Sequence, residues 1–172
     1  MIDLQNSNIR RIDELGRVVV PKDIRKKLHI KDNEPLEIYI ENNEIHIRKY
    51  SSLPDIIEFI RYLVDIGHRI TGNTFIITDR EHIIASNVSE YLNLSLNDKL
   101  ESLVLNSREL KNEKIELEIK SDIKLTGYFN IYPIIIDNDR SGVIIEFSSN
   151  ALQNDFVVKI FKNLLENKLS NY

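Results

Sequence analysis

The sequence predicts an α+β protein in two parts, a short basic β-rich segment followed by a larger domain built on one antiparallel sheet. Basic side chains concentrate in the first part: residues 1–31 carry eight basic and four acidic side chains, whereas the whole chain has a net charge of −4. Strand and helix patterns then alternate along the rest of the chain. Ser51, Ser52 and Pro54 mark a linker, so we predict domains at residues 1–52 and 55–172.

The first domain begins with a basic stretch, NIRRIDELGRVVVPKDIRKKLHIK, over residues 8–31. The three valines at 18–20 predict a strand, and Gly16 permits a sharp turn ahead of them. Pro21 is typical of the first position of a helix, here PKDIRKKLHI. A lone basic helix is usually a solvated surface. The succession of strand, glycine, proline and basic helix favours a polyanion partner instead, because phosphates reward clustered cations.

A hairpin completes the first domain. After a turn predicted over residues 31–35, the segments LEIYIE and EIHIRKY alternate apolar and polar residues and predict two strands. Asn42 and Asn43 between them tolerate positive φ angles, as a two-residue hairpin turn requires. A hairpin this short cannot bury its apolar face alone. We therefore expect a second copy of the segment to cover it.

The stretch RRIDELGRVVVPKDIRKKLHI, followed by LEIYIENNEIHIRKY, resembles the swapped-hairpin DNA-binding domain of the AbrB family of transition-state regulators. The resemblance is dense over residues 8–50 and rests on length and pattern beyond them. It implies that two chains exchange hairpins to form one dimeric β-rich unit. It further implies a regulator of spore-forming bacteria that activates some promoters and represses others.

The resemblance also implies which residues contact double-stranded DNA: Arg10, Arg11, Arg17, Arg25 and Lys26. We expect phosphate contacts to supply most of the affinity, with Arg17 and Arg25 reading bases or grooves. Lys26 stands where an arginine is common in the family, and lysine cannot reproduce a bidentate guanidinium contact. His29 stands where glycine is common.

The second domain follows the order helix, two strands, helices, three strands, helix. We predict a helix over about residues 54–69, strands TFIIT and HIIAS, a mostly helical region over 88–110, strands KIELEIK, LTGYFNIYPIII and GVIIEFS, and a final helix with a broad apolar face. The apolar stripe from Leu53 to Ile70 can pack on its own domain or on another subunit. Residues 51–172 hold thirteen basic and eighteen acidic side chains, which suits sensing or assembly better than DNA contact.

This order resembles a GAF-type domain, which the AbrB-type resemblance also implies for residues 55–172. Domains of this type commonly hold a small ligand between sheet and helices, although some only dimerise. We therefore expect a homodimer through the first domain and a homotetramer through the second, with an unknown small-molecule ligand possible. Tyr128, Phe129 and Tyr132 can line a pocket, but alternating aromatic residues in a strand are more often core.

Motifs of catalysis are almost absent. The chain lacks cysteine, a glycine-rich phosphate loop, HExxH and GxSxG, and its four histidines have no metal-ligand spacing. We predict no enzyme, no metal and no cofactor. The carboxylates near residues 79–81 and 137–139 are typical of turns, although a general acid/base pair among them stays open.

The chain opens without an apolar signal segment and has no run long enough to cross a bilayer, which predicts a soluble cytoplasmic protein. The leading interpretation is a sequence-specific DNA-binding transcriptional regulator. The alternative is an antitoxin-like DNA-binding module of a toxin–antitoxin pair, because the same swapped hairpin serves antitoxins. A folded second domain favours the regulator, since antitoxins usually end in a disordered tail.

Overall fold

The computed structural model describes residues 9–28, 30, 32, 35–50, 52–106, 108–136 and 138–169. The chain divides into two compact units between Tyr50 and Ser51. His29 and most of the turn predicted over residues 31–35 lie outside the described residues.

The first unit contains a short helix, α1 (Lys22–Lys27), and a hairpin of β1 (Leu36–Glu41) and β2 (Glu44–Lys49). Asn42 and Asn43 both have positive φ angles, 50° and 64°, which matches the predicted hairpin turn. In the hairpin, Ile38 lies opposite Ile47 and Ile40 lies opposite Ile45, so these four isoleucines share one face. The hairpin is confirmed, and the basic helix is confirmed as a shorter one that ends at Lys27 rather than at Ile30.

The strand predicted over residues 18–20 is wrong for the single chain, because these residues belong to no strand in it. The valines have the right propensity, but a strand exists only where a neighbouring strand supplies its hydrogen bonds. The sequence predicts Pro21 as the first helical residue of α1. In the structure Pro21 occupies the N-cap position, and the helix begins at Lys22.

The second unit forms a five-stranded antiparallel sheet with helices on both faces. Its elements are α2 (Ile57–Thr71), β3 (Thr74–Thr78), β4 (Ile83–Ser86), α3 (Asp98–Asn106), β5 (Leu110–Lys120), β6 (Ile123–Ile136), β7 (Asp139–Ser148) and α4 (Phe156–Leu169). The strands lie in the order β4-β3-β7-β6-β5. The α+β prediction with a central antiparallel sheet is therefore confirmed, and the GAF-like assignment stays a prediction.

Two apolar layers hold this unit together. On one face of the sheet, α2 and α4 bury residues such as Leu63, Phe75 and Phe161. On the other face, α3 buries Leu100 and Val104 against the sheet. Most of the apolar stripe of α2 is thus core of its own unit, which decides between the two alternatives that the sequence left open.

Aromatic residues of β6 also belong to the core. Phe129 and Tyr132 are fully buried in the two layers, and Tyr128 is half-buried with the Lys114 ammonium 5.8 Å from its ring centroid. The interpretation of these residues as core is confirmed for Phe129 and Tyr132.

Several boundaries of the second unit differ from the prediction, as two examples show. The region 88–110 is less helical than expected, with one 3-10 turn (Ser89–Tyr91), α3, and a β-bridge between His82 and Ser95. Strand β7 begins at Asp139, inside the segment predicted as a turn, because Ile136 pairs with Asp139. Asn138 has a φ of 63°, and an asparagine in this conformation permits a tight reversal.

No helix among the residues that the structure describes is both long and apolar enough to cross a membrane. Likewise, within the described ranges, no group of three or more acidic or histidine side chains is arranged to hold a metal ion.

Candidate nucleic-acid interface

The loop at residues 13–17 is organised by the carboxylate of Asp13. One oxygen, Oδ1, accepts hydrogen bonds from the backbone N–H of Leu15 (3.0 Å) and of Arg17 (2.8 Å). The other, Oδ2, accepts from Nε of Arg17 at 2.8 Å. Gly16 has a φ of 76°, a conformation that favours glycine, and its N–H donates to the carbonyl of Asp13 at 2.9 Å. The side chain of Arg17 is 72% exposed and is therefore held in place at the surface of this loop.

The same hydrogen bonds determine the charge state of the loop. The backbone N–H of Arg17, followed by its guanidinium, lowers the pKa of Asp13 below its ordinary value of 3.8. Because the pKa is lower in the folded chain, the stabilisation is complete above the ordinary pKa and is lost as pH falls through the lowered one. The loop therefore carries an ionised Asp13 at neutral pH.

We expect a titration of the Asp13 carboxyl carbon by NMR to give a midpoint below 3.8 in the folded protein. The substitution Arg17→Ala should restore only part of the shift, because the backbone donors at residues 15 and 17 remain. A midpoint at or above the ordinary value in the unsubstituted protein would contradict the observed loop geometry.

Helix α1 presents the second group of cations. The guanidinium Nη1 of Arg25 pairs with Oδ1 of Asp32 at 2.9 Å, and its side chain is 39% exposed. Lys26 is exposed on the same helix. The backbone N–H of Ile30 donates to the carbonyl of Arg25 at 2.8 Å, which holds Ile30 against this helix.

All five predicted DNA-contact residues are thus accessible. Arg10 and Arg11 are exposed in the segment before the loop, Arg17 closes the loop, and Arg25 and Lys26 lie on α1. The sequence analysis missed the two carboxylates, Asp13 and Asp32, that hold Arg17 and Arg25. The i,i+4 spacing of Asp13 and Arg17 around a glycine was the signal for the first pair; no comparable pattern marks the second.

The hairpin carries a polar face opposite its isoleucines. The rings of Tyr39 and His46 stack with centroids 5.2 Å apart, and the guanidinium of Arg48 lies 5.1 Å from the Tyr39 ring centroid. Nε of Arg48 also donates to Oε2 of Glu37 at 2.7 Å. These contacts order the polar face, and the five predicted DNA-contact residues take no part in them.

Comparison with known proteins decides the family. The chain is 32% identical over 152 residues to stage V sporulation protein T of Bacillus subtilis (strain 168), covering 83% of each chain. The chain belongs to the AbrB family of transition-state regulators. It is also 45% identical over 42 residues to the transition state regulatory protein AbrB of the same organism, a match that covers 24% of this chain and 44% of AbrB.

Two further matches concern the first unit. The putative transition state regulator Abh of Bacillus subtilis (strain 168) is 36% identical over 42 residues, which is 24% of this chain and 46% of Abh. Residues 9–55 match the family described as antidote-toxin recognition MazE, bacterial antitoxin. The family prediction is therefore confirmed, and the three relatives carry the names of sporulation or transition-state proteins rather than of enzymes.

Proposed function

We propose that this AbrB-family protein is a sequence-specific DNA-binding transcriptional regulator of sporulation genes, activating some promoters and repressing others. One observation carries the proposal: Arg17 and Arg25 are accessible yet held by carboxylates, within a segment that also exposes Arg10, Arg11 and Lys26. Such a cation set suits a phosphate backbone. The protein acts in the cytoplasm and has no enzymatic activity.

The two ion pairs support this role physically. Exposed ion pairs contribute little to stability, so exchanging a carboxylate for a DNA phosphate or a guanine edge costs little. At the same time, the pairs restrict the rotamers of Arg17 and Arg25 before DNA arrives. Asp13 and Asp32 thus orient the two arginines, while the loop and helix supply the surface.

Selection of bound fragments from a random DNA library tests this function. We expect the full chain to enrich one shared motif, and Arg17→Ala or Arg25→Ala to relax preference at particular positions of it. Lys26→Ala should instead weaken all sequences uniformly and reduce the salt dependence of log K by about one phosphate contact for each chain that contacts DNA. Failure of the unsubstituted protein to enrich any motif would contradict sequence-specific binding.

We propose that the first unit functions only as a homodimer, with exchanged hairpins. Supporting this, none of its described residues is buried, and Ile38 and Ile40 are 67% and 79% exposed on the apolar face of the hairpin. A sheet of two strands is too small to be stable with such a face in water. A second copy of the unit covers it and gives residues 18–20 a strand to pair with.

A fragment of residues 1–52 is therefore expected to sediment as a folded dimer. Ile40→Ser should weaken this dimer, because each buried isoleucine contributes about 1.5–3 kcal/mol. His46→Ser, on the polar face of the same hairpin, should leave the dimer much less affected and serves as the control. A folded monomer of the fragment would rule out the exchanged hairpins.

We further propose that the second unit self-associates, so that the full chain is a tetramer. The sequence pointed to the apolar stripe from Leu53 to Ile70 as a possible contact with another subunit. That stripe is not available for this role, because residues such as Ile60 and Leu63 are buried within the unit. Instead, Phe156, Ile160 and Leu164 repeat every four residues on α4 and remain exposed. A second copy of the same face covers this apolar stripe and removes it from water. The resulting particle carries two DNA-binding dimers, which gain avidity on paired sites.

Light scattering of the full chain at micromolar concentration is expected to give a tetramer. Ile160→Asp and Leu164→Asp should reduce it to a dimer, because an unpaired carboxylate in an apolar interface is costly. Ser102→Asp adds the same charge at an exposed position of α3, on the other face of the sheet, and should leave the tetramer intact. A strictly dimeric unsubstituted protein, or tetramers that survive both aspartates, would contradict this assembly.

The second unit also serves as the sensor, as a GAF-like domain. Its five-stranded antiparallel sheet with helices on both faces suits a domain that holds a ligand against a sheet. Its excess of acidic side chains keeps it away from the DNA phosphates.

An antitoxin-like module is the second candidate, favoured only by the match of residues 9–55 to the MazE family. The relationship to stage V sporulation protein T extends over 83% of the chain and supports the regulator instead. Limited proteolysis separates the two: a stable fragment from about residue 55 onward supports the regulator, whereas rapid loss of that region supports an antitoxin tail.

A further inference from the structure

The second unit contains a buried carboxylate. Glu146 on β7 is 2% exposed. Its Oε1 accepts a hydrogen bond from Nδ2 of Asn73 at 2.7 Å, and its Oε2 accepts from Nδ2 of Asn130 at 2.8 Å. Among the residues that the structure describes, no lysine or arginine pairs with it. The two amide donors satisfy part of its hydrogen-bonding capacity.

Glu146 also lines a cavity of about 590 Å³ between the end of α2 and the loop that leads into α4. Apolar parts of its wall come from Ile70, Leu152 and Val157, and polar parts come from Asn73 and Asn154. Small-molecule sites commonly span about 300–1,000 Å³ and combine apolar walls with a few polar groups. The cavity therefore has the size of a ligand site, and its wall combines apolar and polar residues in equal number.

Hydrogen bonds from the sheet hold the loop that forms this wall. Oδ1 of Asn112 accepts from the backbone N–H of Leu152 at 2.8 Å, and Nδ2 of Asn130 donates to the carbonyl of Asn154 at 3.0 Å. The backbone N–H of Asn112 in turn donates to Oδ1 of Asn130 at 2.8 Å. Tyr132 donates its hydroxyl hydrogen to the carboxylate of Asp155 at the end of the loop. The cavity is thus preformed, and its carboxylate is fixed in place.

We propose that this cavity binds a small organic cation, an ammonium group on an apolar body, with the Glu146 carboxylate as its counter-ion. The proposal rests on the sensor role proposed above and names the chemical class of the ligand. Each carboxylate oxygen has about two acceptor sites, so one site per oxygen remains after the two asparagines have donated. The ammonium supplies a positive charge, and Ile70, Leu152 and Val157 contact the apolar body.

Calorimetric titration of the full chain at pH 7 tests the proposal with two matched pairs of probes. These are 2-phenylethylammonium with 2-phenylethanol, and n-hexylammonium with n-hexanol. At least one ammonium ion is expected to bind at least tenfold more tightly than its alcohol, which has the same shape without the charge. If neither ammonium ion binds more tightly than its alcohol, the proposal is overturned.

Three variants locate the binding. Glu146→Gln should weaken the ammonium ion at least tenfold, although its amide opposes an asparagine donor and can destabilise the fold. Gln153 also lines the cavity, and because it is exposed its substitution should not destabilise the fold. Gln153→Lys should weaken the ammonium ion severalfold, whereas Gln153→Glu should not weaken it. Equal affinities in the two Gln153 variants would overturn the assignment. DNA binding by the ligand-free chain is measured separately, so failure here leaves the regulator proposal standing.

Discussion

Arg17→Ala and Arg25→Ala are each expected to remove most of the specific DNA binding of this protein while leaving its assembly intact. A bidentate base contact contributes about 1–3 kcal/mol, so each variant should lose roughly 5- to 150-fold in affinity. Where one dimer presents two copies of the arginine, the loss is larger. A gel-shift titration on a selected site measures the effect, and sedimentation checks the oligomer.

The structure indicates why the fold should survive both changes. The loop of Arg17 keeps the hydrogen bonds from the backbone N–H groups of Leu15 and Arg17 to Asp13, which do not involve the removed side chain. Alanine at position 25 is compatible with α1, because alanine has the highest helix propensity. Loss of DNA binding is therefore expected from lost contacts rather than from unfolding.

Two further variants sharpen this test. Arg17→Lys keeps the charge but cannot form a bidentate contact, so it should retain non-specific binding and lose sequence preference. Arg61→Ala is the matched control, because Arg61 is an exposed arginine paired with Glu58 at 3.1 Å in the second unit. Unchanged affinity in both Arg17→Ala and Arg25→Ala would show that these residues do not contact DNA.

Gly142→Ala should be the most destabilising single substitution among those considered. Gly142 lies on β7, and a Cβ there would overlap the backbone carbonyl oxygen of Thr78 on β3 and lie 3.2 Å from Cδ1 of Leu53. A backbone oxygen in a paired strand cannot move aside as a flexible side chain can. We expect a loss of at least about 3 kcal/mol, beyond the usual range for a point mutation.

Thermal or denaturant unfolding of the second unit within the full chain measures this effect. Gly72→Ala is the control, because Gly72 has a φ of 73° and no atom within 4 Å of an added Cβ. Only backbone strain opposes that alanine, which should cost about 1–2 kcal/mol. If Gly142→Ala is no more destabilising than Gly72→Ala, the close approach of β7 to β3 is not as described.

Local pattern predicted much of the second unit. The strict alternation of KIELEIK identified β5, and the three-four spacing from Leu53 onward identified α2 and its buried face. The failures have two causes. The bridge between His82 and Ser95 depends on the assembled sheet, which local spacing does not report. The early start of β7 is local, because a reversal at Asn138 lets Ile136 pair with Asp139 and makes the turn shorter than predicted.

Of the two candidate sites, local pattern in the sequence predicted one and missed the other. The basic residues from Arg10 to Lys26 were readable from the sequence because they cluster within seventeen positions of one motif. Glu146 was not singled out, although a charged residue within GVIIEFS was a signal that a buried strand held a functional group. Its asparagine partners come from positions 73 and 130, and no spacing rule connects residues so far apart along the chain.

Genome-wide mapping of DNA occupancy in the native cell tests the central claim most directly. The regulator proposal predicts occupancy at discrete sites that share one motif and lie upstream of genes, including genes of the sporulation programme. It also predicts that these sites disappear in cells expressing Arg25→Ala at an equal protein level. Absence of discrete sites for the unsubstituted protein, or an unchanged pattern for Arg25→Ala, would contradict the proposed function.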